Sequence, residues 1–414
     1  MKKILFVVNT LGRAGAETAL LEMLKRLRGQ QIDGQALELF LYVITAQGEM
    51  RSQLPPYVKL LNKHYHSQSV LTGKGKAVLA RRAAGAFMRN GGFVGKMRYV
   101  AGVLSAAKRT GKGNKLQADK LLWRVLSDGA RRFEEEFDLA VAWLEGASAY
   151  YVADHVRAKK KAAFIHIDYE SAGYTKDMDQ DCFQCFDRIF AVSDEARGHF
   201  LAVYPEYEGK TEVFHNMLDP ESIKRRALNE GGFTDDFPGM RILTVGRLTY
   251  QKAYDVAVEA MKLLKDAGCS ARWYVLGEGD QRKALLKKIS QLGLSEDFVL
   301  LGAVENPYPY YAQADLYVHA TRFEGKSIAI QEAQILGCAV LASDCNGNRE
   351  QIVDGLDGML TSLEPSAIAR NIALLLQDKE KREKMGLAAA GKQIPKERET
   401  LERLLALASS GSRT

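Results

Sequence analysis

One rhythm, stated twice along the chain, constrains its fold more than any other feature: a short apolar strand, a glycine-containing turn, then an amphipathic helix. Strands joined through helices in this way run parallel, so the rhythm predicts α/β architecture, with parallel sheets covered by helices. The length of 414 residues suits two domains rather than one. In the first half, strands are predicted at 3–9, 39–45, 138–143, 162–167 and 188–193, with a helix over 16–27. The polar, turn-rich stretch NEGGFTDDFP at 229–238 reads as a linker. After it the rhythm restarts, with strands at 240–245, 272–276, 298–301, 315–319 and 339–342. Helices are predicted at 253–267, from about 281, at 328–336 and at 396–409. The chain therefore divides into 1–228, 229–392 and a final helical stretch, 393–414. Domains of this kind bind ligands at the carboxyl ends of their strands.

The opening MKKILFVV places two lysines before an apolar run of only five residues, Ile4 to Val8, which leads into a glycine-rich turn. A secretion signal needs a longer apolar core, so a buried first strand is the better reading. No apolar run approaches the roughly 20 residues of a membrane span, and a cytoplasmic protein is expected. Cys182 and Cys185 form a lone C-x-x-C without a second pair at zinc spacing, which reads as reduced cytosolic thiols rather than a metal site.

The net charge of +7 is unevenly placed. Between Lys74 and Arg124 stand thirteen Lys and Arg against one acid, Asp119, interleaved with Phe87, Met88, Phe93, Val94 and Met97. This segment reads as a basic helical insertion over about 70–135. A basic face beside apolar residues suits an anionic membrane surface or an anionic acceptor, and equally a solvated helical face. No aromatic stacking pattern or nucleic-acid motif accompanies it, so nucleic acid is not expected as a partner.

Four constellations carry chemistry. Gly12 and Gly15 lie in a turn between a strand and a helix, where backbone approaches a ligand closely and the helix start favours an anion. The spacing is not G-x-G-x-x-G, which argues against a nicotinamide oxidoreductase. Gly246, Arg247 and Lys252 follow the strand that opens the second half. A planar guanidinium and a compact ammonium five residues apart suit a diphosphate. Gly277 and Gly279 form a tight turn after the next strand, suited to a base or ribose or simply to a structural loop. The fourth runs from Arg322 to Ala333. Glu324 ends a strand region, Gly325 permits a turn, Ser327 is placed to cap the next helix, and Glu332 lies in that helix's second turn. The amides after Ser327 would meet phosphate oxygens.

Glu324 and Glu332, with seven residues between them inside EGKSIAIQEA, resemble the signature of glycosyltransferase family 4, which has the GT-B fold of two Rossmann-like domains facing each other across a cleft. GRLTYQK at 246–252, VLGEGDQR at 275–282, NPYPYYAQAD at 306–315 and GNREQIVDG at 347–355 are similar to the family pattern. So are Gly12–Glu17, AWLEG at 142–146, His166–Asp168 and AVSD at 191–194. The resemblance covers nearly the whole chain and is strongest over 240–360. It implies a retaining, metal-independent enzyme without cofactor, which moves a sugar from a nucleotide-diphosphate sugar to a glycan or lipid-linked acceptor. It implies that Arg247 and Lys252 hold the diphosphate, that Glu332 binds the ribose, and that Glu324 faces the donor sugar. The amides of Ser327, Ile328 and Ala329 would contact phosphate. His166 would lie on the acceptor side close to the donor sugar, and Gly12 and Gly15 beside the reaction centre. The final helix would pack back onto the first, acceptor-binding domain. Two positions depart from the pattern: Ala253, where the family usually has glycine, and Lys326, where an aromatic or small residue is usual. A non-catalytic nucleotide-sugar or glycan-binding protein on the same fold is the alternative, and the intact Arg247, Lys252, Glu324 and Glu332 argue against it.

Overall fold

The computed structural model describes residues 1–89, 93–109, 118–169, 172, 174–392 and 397–409. It divides into unit 1, Met1–Met217 with the described part of Pro395–Thr414, and unit 2, Leu218–Ile394.

The described residues of unit 1 form eight strands: β1 (Lys2–Val8), β2 (Gln31–Ile32), β3 (Gln35–Val43), β4 (Val58–Leu60), β5 (Glu136–Ala142), β6 (Arg157–Ile165), β7 (Arg188–Ala191) and β8 (Thr211–Val213). They pair in the order β2-β3-β1-β5-β6-β7-β8, with β4 beside β3. All pairs are parallel except the short β2–β3 ribbon. The helices are α1 (Gly15–Arg26), α2 (Gly73–Met88), α3 (Phe93–Arg109), α4 (Ala118–Asp128), α5 (Ala147–His155), α6 (Lys176–Asp179) and α7 (Asp194–Val203). Ile4 to Val8 of β1 are fully buried, as a central parallel strand covered on both faces requires.

Among the described residues the basic insertion forms α2, α3 and α4, while its residues 90–92 and 110–117 lie outside them. Three of its cations turn inward. Lys96 donates to the carbonyls of Ala86 (2.6 Å) and Arg89 (2.8 Å), and Lys120 donates to that of Ala172. Arg124 pairs with Asp154 and donates to the Asp179 carbonyl at 3.1 Å. The physical reason is that the insertion must dock on the sheet layer. Long cationic side chains bury their stems and satisfy open carbonyls, Lys96 at the end of α2 and Lys120 and Arg124 at Ala172 and Asp179. The same loop is anchored by Asp179, which is fully buried and accepts from Tyr150 (2.7 Å), Tyr169 (2.6 Å) and Tyr204 (2.7 Å).

Unit 2 begins with α8 (Pro220–Ala227) and holds β9 (Met240–Val245), α9 (Tyr254–Asp266), β10 (Ala271–Leu276), α10 (Arg282–Gln291), β11 (Phe298–Gly302), α11 (Tyr308–Gln313), β12 (Leu316–His319), α12 (Ile328–Ile335), β13 (Val340–Ser343), α13 (Asn346–Arg349), β14 (Met359–Thr361), α14 (Pro365–Gln377) and α15 (Lys379–Ala390). Its strands are all parallel, in the order β11-β10-β9-β12-β13-β14. That is the doubly wound Rossmann order, and the direction of winding reverses between β9 and β12.

The boundary differs from the predicted 228/229. α8 belongs to unit 2, where the Asn306 amide donates to the Arg226 carbonyl at 2.8 Å and the Arg226 guanidinium lies over the Tyr308 ring at 4.6 Å. The turn-rich stretch after α8 is no free linker. Phe233 packs on Tyr274 (4.4 Å) and Tyr310 (5.1 Å), and Asp235 pairs with Arg241 (3.2 Å) and Arg272 (2.7 Å). The last helix, α16 (Glu397–Leu407), belongs to unit 1. Lys2 donates to the Ala408 carbonyl at 3.1 Å, and Arg403 reaches Glu212 (3.3 Å) and the Val213 carbonyl (3.1 Å).

Candidate functional site

In unit 2 the reversal between β9 and β12 brings two loops together at the carboxyl ends of adjacent strands, where doubly wound sheets open a crevice. The loop after β9 carries Gly246, Arg247 and Lys252, and the loop after β12 carries Glu324. Backbone bonds staple them. The Gln251 carbonyl accepts from the Arg322 amide (2.8 Å) and the Thr321 hydroxyl (3.0 Å), and the Gln251 side chain donates to the Phe323 carbonyl (2.9 Å). Arg322 forks onto Asp255 at 3.0 and 2.7 Å.

The staple sets Lys252 against Glu324 as an ion pair whose side chains are only 15% and 13% exposed. His319, the last residue of β12 and buried, reaches the same Glu324 oxygen, Oε2, at 3.2 Å. Burial alone would raise the Glu324 carboxyl, but the Lys252 charge and the His319 hydrogen bond outweigh it and hold the group at about 2. His319 is pushed down by burial and by the Lys252 charge, so it is neutral. Arg247 is exposed and makes no ion pair among the described residues, which leaves its fork open to an anion.

Glu332 lies in the second turn of α12 and is buried. Its two oxygens accept from the Tyr308 hydroxyl (3.0 Å) and the Tyr311 hydroxyl (3.3 Å). Burial raises its carboxyl to about 7 despite these two donors and the Arg226 charge. Ser327 stands at the cap position of α12 as predicted, but its side chain makes no capping bond. The residue is 3% exposed, packed rather than turned over the helix end. The first amides of α12, beginning at Ile328 and Ala329, are therefore left without a side-chain cap.

The glycines have distinct reasons. A Cβ at Gly277 would lie 1.9 Å from the Gly246 carbonyl oxygen, and one at Gly279 would lie 2.1 Å from that of Leu248. Both are needed for the two loops to pass each other. Gly347, which opens the GNREQIVDG stretch and lies at the start of α13, was given no role from the sequence, yet a Cβ there would fall 1.3 Å from the Gly325 oxygen. Ala253 adopts a left-handed conformation, φ 46°, which explains why glycine suits this position.

Unit 1 has the same reversal between β1 and β5. Gly12 follows β1, and a Cβ there would make only ordinary contacts, with Glu49 Oε2 at 3.8 Å and Thr10 Oγ1 at 3.9 Å, so packing does not require glycine at this turn. Gly15 opens α1, whose cap position, Ala14, supplies no side-chain bond. His166 follows β6. Its ring lies 5.3 Å from Trp143 and 6.0 Å from Phe164, and its amide donates to Glu145 at 3.1 Å. Burial pushes the imidazole down to about 3, against a hydrogen bond with the Trp143 backbone, and Nε2 is buried without a partner. Among the described residues one trio of possible metal ligands lies together, Asp128, Asp154 and His155, and there Arg124 is paired with Asp154.

Residues 239–392 match the family model for glycosyl transferases group 1. Unit 2 is a group 1 glycosyltransferase domain. The group 1 match is accompanied by curated relatives. Over 171 residues the chain is 33% identical to the N-acetylgalactosamine-N,N'-diacetylbacillosaminyl-diphospho-undecaprenol 4-alpha-N-acetylgalactosaminyltransferase of Campylobacter jejuni, a match covering 41% of this chain and 45% of that enzyme. It is 22% identical over 295 residues to the poly(glycerol-phosphate) alpha-glucosyltransferase of Bacillus subtilis, covering 65% of this chain and 42% of that one. The chain spans about half the length, or less, of the curated relatives it matches first. Among solved structures, HepE of Anabaena with UDP and glucose aligns at a TM-score of 0.63 and 17% identity, covering 99% of this chain and 97% of that one. S. aureus TarM, solved with UDP among its ligands, aligns at 0.65 and 13% identity, covering 99% and 100%. These likenesses show the fold, GT-B, around the group 1 domain.

Proposed function

We propose that this chain is a retaining glycosyltransferase that moves a sugar from a nucleoside-diphosphate sugar to a lipid-linked or glycan acceptor in cell-surface glycan synthesis. The observation that carries this is the pairing of Lys252 with Glu324 beside the open Arg247, at the switch point of a group 1 domain. Cleavage of a sugar–phosphate bond builds negative charge on the diphosphate, and fixed cations and helix-start amides stabilise it. Arg247, Lys252 and the first amides of α12 at Ser327, Ile328 and Ala329 take the diphosphate. Gly246, Gly277 and Gly279 shape the loops beside it. Glu332 takes the ribose hydroxyls, and Glu324 the donor sugar. Of unit 1, we assign Gly12 and Gly15 to donor binding, in the loop beside the reaction centre, and His166 to the acceptor side. The neutral His166 suits hydrogen bonding rather than charge. The cations supply the leaving-group stabilisation, so the reaction needs no metal.

The acceptor class follows from the relatives above, one of which is named for an undecaprenol-linked substrate. In this chain Met88, Phe93, Val94 and Met97 are exposed at the facing ends of α2 and α3, beside the exposed Arg89 and Arg98. Apolar side chains ringed by cations suit an anionic membrane surface. Among the described residues no helix is long and apolar enough to cross a membrane. We place the enzyme at the cytoplasmic membrane face. The test offers UDP-, GDP-, ADP-, CDP- and TDP-sugars with a polyprenyl-diphosphate-linked acceptor. One donor should release its nucleoside diphosphate in step with acceptor, and the new linkage should keep the donor's anomeric configuration. No acceptor-dependent release from any donor would count against the reading.

A further inference from the structure

The strand that ends at the switch point carries two polar side chains in a row otherwise made of core. Tyr317 and His319 lie two apart on β12, on the same face, and both are buried. Nothing in the proposed function uses them. A buried histidine needs partners for both ring nitrogens, and here both are supplied. Nε2 lies 3.2 Å from Glu324 Oε2, and Nδ1 lies 3.1 Å from the Tyr317 hydroxyl.

The tautomer follows from the partners. Nε2 faces an acceptor, Glu324 Oε2 at 3.2 Å, and a donor, the Lys252 ammonium at 3.4 Å. With Lys252 held by Glu324 Oε2, the nearer carboxylate decides: Nε2 carries the proton and donates it. Nδ1 is then an acceptor, and the Tyr317 hydroxyl, 3.1 Å away, gives its proton to it rather than to the Val245 carbonyl at 3.4 Å. Glu324 Oε2 thus receives both Lys252 and His319. Among the described residues none donates to Oε1. Two donors on one oxygen fix the plane of the carboxylate and leave the other oxygen for a ligand. Tyr317 is itself held: its ring packs on Tyr311 at 5.2 Å, and Tyr311 donates to Glu332. One buried row, His319–Tyr317–Tyr311, therefore runs behind both glutamates.

We infer that His319 is a positioning residue, its tautomer set by Tyr317, that turns Glu324 so that Oε1 faces the hydroxyls of the donor sugar. This rests on the glycosyl-transfer reading above. It assigns a role that Lys252 alone does not fill, because Lys252 must also be able to leave Glu324 for the diphosphate, whereas His319 stays in the strand.

The experiment compares wild type with His319→Gln, His319→Leu and Tyr317→Phe. It measures kcat and KM for the donor that wild type turns over best, the Kd of the free nucleoside diphosphate, and the melting temperature. His319→Leu should lower kcat by about tenfold or more, while the free diphosphate, which has no sugar for Glu324 to face, keeps its Kd within about threefold. Glutamine offers an N–H near the same place and should restore most of kcat. Tyr317→Phe should lower kcat several-fold at an unchanged melting temperature, and it carries the test should His319→Leu fail to fold. Wild-type kcat in His319→Leu or in Tyr317→Phe would overturn the inference. So would a loss shared equally by kcat and diphosphate affinity that glutamine does not relieve. Turnover of no donor by wild type would instead overturn the glycosyl-transfer reading, and the inference with it.

Discussion

Lys252 and Glu324, 72 residues apart in sequence, form an ion pair where the unit 2 sheet reverses its winding. The contact is made by topology: β9 and β12 are neighbours, with Tyr317 opposite Leu243, and each delivers its following loop to the same point. The Gln251 staple then removes the freedom of both loops. In the proposed reaction Lys252 is thus held close to where its charge would be used, which would lower the reorganisation required when a diphosphate arrives.

This arrangement separates function from stability at Lys252. Replacement by alanine removes a charge aimed at the leaving group, and turnover should fall about 10²–10³-fold. Glu324 would be left without its main counter-charge, but it keeps His319 and some solvent contact, so unfolding free energy should fall by only about 1–2 kcal/mol. Steady-state kinetics and urea unfolding of the same preparation check this. A kinetic loss no larger than the stability loss implies would remove the assigned role.

Glu332 makes stability depend on pH. Its folded carboxyl is raised from 4.5 to about 7, so the folded state binds the proton more tightly than the unfolded chain. The stability this contributes is full below the unfolded value and is lost as pH rises through the folded one. Glu332→Gln, neutral at every pH, should remove that slope. Between pH 4.5 and about pH 8 wild type should lose about 1–3 kcal/mol relative to the variant. Denaturant unfolding at several pH values measures it, and parallel profiles for the two proteins would contradict the burial argument.

Ala253 sits left-handed and fully buried at the start of α9. Glycine would relieve about 1–2 kcal/mol of backbone strain, offset by the flexibility it adds to the unfolded chain and the methyl it removes. Ala253→Gly should therefore change stability by less than about 1 kcal/mol. Ala253→Val adds β-branching at positive φ inside packed structure and should destabilise by about 2 kcal/mol or more. Thermal melts of both variants decide between strain and simple packing.

The α2–α3 tip should bind anionic lipid. Phe93→Ser with Met97→Ser removes exposed apolar surface, and Arg89→Ser with Arg98→Ser removes about 1 kcal/mol of attraction per charge. Sedimentation with phosphatidylglycerol vesicles at low salt should show binding weakened by either pair, about thirtyfold for the arginine pair, at an unchanged melting temperature. Equal binding by all variants would move the membrane contact elsewhere.

Much of this was legible in the sequence, for reasons of pattern. The strand 240–245 was placed to the residue because apolar alternation and the following glycine bound it on both sides. Arg247, Lys252, Glu324 and Glu332 were singled out by their places around turns, and of these the structure brings Lys252 and Glu324 into contact. What the sequence hid was three-dimensional pairing. His319 looks like one more residue of an apolar strand until Glu324 is seen beside it. Tyr308 and Tyr311 stand in a quoted motif, but only the fold shows that they hold Glu332. Gly347 is required by the Gly325 turn, a contact with no local signal. The predicted boundary follows the turn-rich NEGGFTDDFP, whereas the structure also groups α8, just before it, with unit 2. The basic segment was counted as a face because charge along the chain does not show which lysines point inward.

The most direct test of the donor site is a titration of UDP, GDP, ADP, CDP and TDP against the melting temperature, with and without EDTA, for wild type and Lys252→Ala. A ligand that binds only the folded state raises that temperature by mass action. One nucleoside diphosphate should raise it for wild type, indifferent to EDTA, and lose most of its effect in Lys252→Ala. No rise with any of the five, or a rise that Lys252→Ala leaves intact, would contradict a diphosphate site built on Arg247, Lys252 and the start of α12.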